Sequence, residues 1–172
     1  MKLQQLIDRL PPDRQKKIRE RTTELINQVS MIKYSVDFYQ WTQEQAKYLE
    51  EGRLQELDIA SLIEEIKSLG EQEYWDLVGC MGELLRFLLE WQLIPGDRTK
   101  ELIAYIAEQR QSLRFMLRGS PSLKARLVAE LVDIYESSKN LIVIETKLDY
   151  KDIPSQCPYS LEQALDRKYF PD

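Results

Sequence analysis

The 172-residue sequence has no histidine, only two cysteines and six glycines, and no long apolar run. Without histidine there is no side chain that ordinarily titrates near neutral pH, no imidazole ligand for zinc, and no Ser/His or Cys/His nucleophile arrangement. Most familiar enzyme mechanisms are thereby excluded. Cys80, in a helical run, and Cys157, just before a proline, have neither zinc-ligand spacing nor the density of a secreted disulfide scaffold, so both read as thiols. The opening MKLQQLIDRLPP places Asp8 and Arg9 where a signal peptide needs apolar residues. No segment approaches the roughly 18 apolar residues of a membrane span. The expected location is the cytoplasm, with no membrane association.

What is present is ordinary for a soluble globular chain, with 43% hydrophobic and 31% charged residues. The charge is uneven. Residues 1–30 carry seven Lys/Arg against four acids, a net of +3, and the remainder carries seventeen against twenty-five, a net of −8. An acidic body disfavours nucleic-acid binding by the main domain, because phosphate neutralisation dominates such affinity. Residues 1–30 are accordingly read as a basic helical arm and residues 31–172 as a single all-α domain.

Glycine and proline fall mostly between stretches of helical periodicity, and no convincing strand appears. Leu3, Leu6, Ile7 and Leu10 make a short amphipathic turn before Pro11-Pro12; a helix then resumes with Ile18, Thr22, Leu25, Ile26 and Val29 on one side. A second helix is predicted from about Ser35 to Glu51, stopped by Gly52. Asp58 is placed to cap the next, which keeps its period to about Gln92, with a kink or break possible near Gly70. Asp97 is read as the cap of a helix ending at Arg118-Gly119, and Ser120-Pro121 as the start of another reaching about Leu148. Ser160 and Gln163 have capping-box spacing for a short final helix. The expectation is a helical bundle of about four main helices with short accessory helices at both ends.

Six carboxylates crowd residues 58–76. Glu64 and Glu65 invite reading as a catalytic pair, but neighbours on a helix point about 100° apart, so they cannot share a site. With Ile59 as origin, the residues Leu62, Ile63, Ile66, Leu77, Met81, Leu84 and Leu88 fall within about 60° and define a buried face. Glu73 falls inside that stripe, where a carboxylate must be protonated or paired. Thr42, Gln45, Arg110 and Glu145 likewise fall among the apolar residues of their own helices. The hypothesis is an interior polar cluster in which Arg110 serves as shared cation, its forked donors able to bridge two carboxylates. Trp41 and Trp91 read as core aromatics, whereas Trp75, opposite the main stripe, is the candidate for a partner interface.

The stretches DFYQWTQEQAKYL, LDIASLIEEIKSLGEQE, LLEWQ, EQRQSLR, SPSLK and CPYSLEQALD follow one another as in an uncharacterised bacterial family, domain of unknown function twenty-nine, common in cyanobacteria. Residues 34–172 resemble that family, which implies an all-helical fold and no established activity. Thr42, Gln45, Glu73, Gln109, Arg110 and Glu145 match the family pattern. The family often carries a histidine and a lysine where this chain has Phe87 and Glu90, so chemistry assigned to that histidine does not transfer. Residues 1–30, with LPPDRQKKIRERTTELINQV, resemble the leader of helix-turn-helix antitoxins, without the DNA-reading helix.

Two functions follow as expectations. The first is a helical protein-interaction or regulatory module with a protein partner or self-association and no cofactor. The alternative is a toxin-like metal-dependent nuclease or other effector enzyme, paired with an antitoxin, with Glu73 and Glu145 around magnesium.

Overall fold

Every regular element among the described residues is helical, and none of them lies in a strand. The structure, a computed structural model, describes residues 7–172, excepting the side chains of residues 26–28 and 30–33. Leu3 and Leu6 of the short amphipathic turn, and the Ile26 side chain of the arm's stripe, lie outside the described residues. Helices α1 (Pro12–Val36), α2 (Phe38–Glu50), α3 (Ile59–Leu93) and α4 (Lys100–Gly119) are followed by α5 (Leu123–Ala129), α6 (Leu131–Glu145) and α7 (Leu161–Leu165). Single 3-10 turns fall at Leu54–Glu56, Pro95–Asp97 and Tyr150–Asp152. None of these helices is long and apolar enough to cross a membrane.

Local chemistry explains the ends. Asp37, not Ser35, starts α2, its carboxylate accepting from the Gln40 amide at 2.9 Å. Gly52, at φ 68°, supplies the left-handed step after α2 that other residues resist. Asp58 caps α3 as expected, accepting from the Ser61 amide at 3.2 Å and the Ser61 hydroxyl at 2.9 Å. Asp97 is absorbed in a 3-10 turn, and the cap of α4 is Thr99, which accepts from the Leu102 amide. The Ser160/Gln163 capping box forms. The single helix expected after Pro121 is two: Glu130, at φ −98° and ψ 5°, separates α5 from α6. No break occurs at Gly70, because one glycine costs a helix only about 1 kcal/mol and its neighbours supply the remaining hydrogen bonds.

Contacts divide the chain within α3 into a first unit reaching to Ser68 and a second, Leu69–Asp172. The division falls well beyond the charge step near residue 30.

In the first unit, α1 packs on α2. Tyr34, Phe38 and Trp41 form the aromatic contact, with Tyr34 edge-on to Trp41 at 5.0 Å between ring centres. Trp41 is buried, and its indole N–H finds no acceptor among the described residues. Gln45 Oε1 accepts from the buried Asp58 amide at 2.8 Å, tying α2 to the start of α3.

In the second unit, Leu77, Met81, Leu84 and Leu88 are completely buried, each contributing roughly 1.5–3 kcal/mol of hydrophobic stabilisation. They join Leu102, Ile106 and Leu113 of α4, Leu127 of α5, Ile134 and Ile142 of α6, and Leu161 and Ala164 of α7 in one cluster. Ser138 Oγ lies 2.9 Å from the Gly82 carbonyl, joining α6 to α3. The amino-terminal half of the predicted buried face behaves differently: Ile59, Ile63 and Ile66 are exposed. A helix stripe is buried only where another element reaches it, and no described element covers this one.

Candidate functional site

The inward polar residues sort themselves by partner. Arg110 is buried on α4, and its guanidinium serves main-chain carbonyls: Nε donates to Ala164 at 2.8 Å and Nη2 to Tyr169 at 2.6 Å. Phe170 lies beneath it, 5.3 Å from ring centre to guanidinium carbon. Burial pushes its pKa down, with Asp166 opposing. Arg114, one turn further on, donates to the carbonyl of Leu165. These two arginines dock the carboxy-terminal segment on α4, because the end of α7 leaves carbonyls that its own backbone cannot satisfy.

Arg110 makes no ion pair with Glu73 or Glu145, so its expected role as shared cation is corrected. Glu73 is exposed and accepts from the Ser120 hydroxyl at 2.6 Å. It escapes burial because Leu69, one turn earlier, is itself exposed, and the covered part of α3 begins only at Tyr74 and Leu77. Thr42 donates within its own helix to the Tyr39 carbonyl at 2.8 Å, and Gln45 serves Asp58; both belong to the first unit. Gln109 is half-buried. The six candidates are therefore spread over several local arrangements.

A largely buried cation that does gather carboxylates is Arg86, which sequence reasoning missed. Its guanidinium, almost buried, meets Glu83 at 3.0 Å, Glu90 at 3.2 Å and Glu145 at 2.8 Å, and lies over the Phe87 ring at 4.0 Å. The signal was available: Glu83, Arg86 and Glu90 have i−3 and i+4 spacing, which places all three on one helix face. Only folding could bring Glu145 from α6 to the same arginine. The Glu90 carboxyl is pushed up by burial, the Arg86 charge opposing that rise. Three acids on one arginine leave the cluster negative, and its visible task is to join α3 to α6.

A second network, its charged groups exposed, surrounds the buried Tyr74. Arg126 stacks on its ring, and reaches Glu71 at 3.0 Å and Glu130 at 3.2 Å, while the Tyr74 hydroxyl donates to Glu130. Neighbouring Trp75 is 57% exposed and remains a candidate contact surface. Glu64 and Glu65 do not form a pair: Glu65 accepts from the Tyr34 hydroxyl at 2.5 Å, and Glu64 is exposed.

No three His, Cys, Asp or Glu side chains among the described residues converge as a metal site would require. The nuclease reading therefore gains no support. What the geometry defines is an all-helical protein whose buried polar groups join helices. A family model described as "Domain of unknown function DUF29" matches residues 33–170, and the chain belongs to that family. Comparison with curated proteins and with solved structures returns no match.

Proposed function

We propose that this protein is a cytoplasmic interaction or regulatory module that binds a protein partner through its first unit, with the basic segment up to residue 30 as an arm. The observation that carries this reading is the unfinished apolar surface of that unit. Ile59, Ile63 and Ile66 stand along one side of α3, with Ile63 47% and Ile66 68% exposed. On α1, Leu25 and Val29 are exposed too. Large apolar side chains left in water along one helix side are the ordinary mark of an interface.

The test is substitution of Ile63 and Ile66 by Glu, followed by light scattering and affinity copurification from the native host. Wild-type protein is expected to self-associate or retain a defined partner; the double variant should lose that association while keeping its helical circular dichroism. A wild-type protein that is monomeric and retains no partner would overturn the reading.

A further inference from the structure

The second unit carries an open groove of about 1320 Å³ along α4. Cys80 of α3 and the small side chains of Ala104 and Ala107 line it. Arg114 and Arg118, one helical turn apart, and Arg167 beyond α7 line it too. Arg114 is held in place by its bond to the Leu165 carbonyl. The side chains of Arg118 and Arg167 are exposed and make no hydrogen bond or ion pair among the described residues. Phe115, in the same lining, is 71% exposed.

This is a local inversion of charge on a chain whose net charge is −5. Elsewhere in the unit the arginines Arg86, Arg110 and Arg126 are engaged by carboxylates or carbonyls. The groove is also polarised, because Glu108 lines it and Asp76, Glu108 and Glu83 all act on the Cys80 thiol.

We propose that this groove binds an acidic, amphipathic helical segment of a partner protein. Carboxylates of the segment lie over Arg114, Arg118 and Arg167, whose planar forks suit them, and an apolar side chain packs on Phe115. A nucleic acid fits less well, since its evenly spaced phosphates would meet Glu108 in the same groove, where a peptide can set neutral side chains instead. The inference concerns a surface separate from the apolar face of the first unit and stands independently of it.

Fluorescence anisotropy on the full chain tests it, using a labelled helical peptide of repeating Glu-Glu-Leu-Leu. The controls are the Lys-for-Glu counterpart and a single-stranded oligothymidylate. The acidic peptide is expected to bind, and more weakly as salt rises. Arg118→Glu with Arg167→Glu, and separately Phe115→Ala, should each weaken binding by about tenfold or more without lowering the melting temperature, because all three side chains are exposed. Oligothymidylate binding as tight as the peptide's, or peptide affinity indifferent to charge reversal, would overturn the proposal. A wild-type dimer that the same double variant dissociates would assign the groove to a second copy and overturn it equally.

Discussion

Arg110 and Tyr169, fifty-nine residues apart, are joined by a 2.6 Å hydrogen bond from the guanidinium Nη2 to the main-chain carbonyl. With the 2.8 Å bond from Nε to Ala164, it makes a buried arginine the anchor of the carboxy-terminal segment. Replacing Arg110 with Met keeps the apolar stem but leaves both carbonyls without that donor. The expected loss is about 2–4 kcal/mol, since hydrogen bonds from charged groups contribute roughly 1.5–3 kcal/mol each and relief of the guanidinium's burial cost offsets part of the two. Urea unfolding should show the loss, and amide exchange should show residues after α7 exchanging first.

Gly70 and Gly79 lie inside α3, and a Cβ added at either position meets nothing within 4 Å. Ala at each should therefore stabilise the protein by about 0.5–1 kcal/mol, from reduced unfolded-state entropy alone. Thermal unfolding of the single variants checks this; destabilisation would show that these glycines serve some purpose other than helix geometry.

Burial holds the Glu90 carboxyl above its ordinary range, so the native state takes up its proton more readily than the unfolded chain. The group's favourable contribution is present below the ordinary carboxylate range and is lost as pH rises through the elevated value. Glu90→Gln preserves an acceptor for Arg86 and removes the buried charge. Near neutral pH its melting temperature should equal or exceed that of wild type, and the advantage should vanish in acid. Calorimetry across that range decides it.

The Tyr74 phenol is pushed up to about 12, first by burial and then by its hydrogen bond to Glu130. The stability it contributes is complete below the unfolded tyrosine value near 10 and is lost as pH climbs through about 12. Tyr74→Phe should remove that part of the alkaline destabilisation, and ultraviolet titration of tyrosinate formation should lose one late-ionising group.

Gln45 accepts from the buried Asp58 amide, and Asp58 in turn caps α3. Gln45→Ala should cost about 1–3 kcal/mol by stranding a buried donor, and Asp58→Ala about 0.5–2 kcal/mol through the lost cap. Because the two residues share one arrangement, the double variant should cost less than the separate losses together, which a double-mutant cycle measures.

The polar residues show where reading from sequence succeeded and where it stopped. Helical periodicity placed Arg110 and Gln45 in the interior, and both are buried. It could not name their partners, which are main-chain groups that carry no signature in a side-chain pattern. Glu73 misled because a continuous stripe was assumed to be buried throughout, whereas the exposed Ile66 and Leu69 show the stripe uncovered around it. Arg86 was overlooked although Glu83 and Glu90 stood at helical spacing beside it.

The sequence by itself determined the helical class, the Asp58 and Ser160 caps and the Gly52 stop, because these depend on backbone chemistry and residues a few positions away. It also determined the absence of histidine chemistry. Tertiary structure decided which half of the α3 stripe is buried, that Glu145 belongs to Arg86, and that Arg110 holds Tyr169. Those outcomes depend on contacts between residues dozens of positions apart, and helical periodicity specifies the direction a side chain faces without specifying what meets it there.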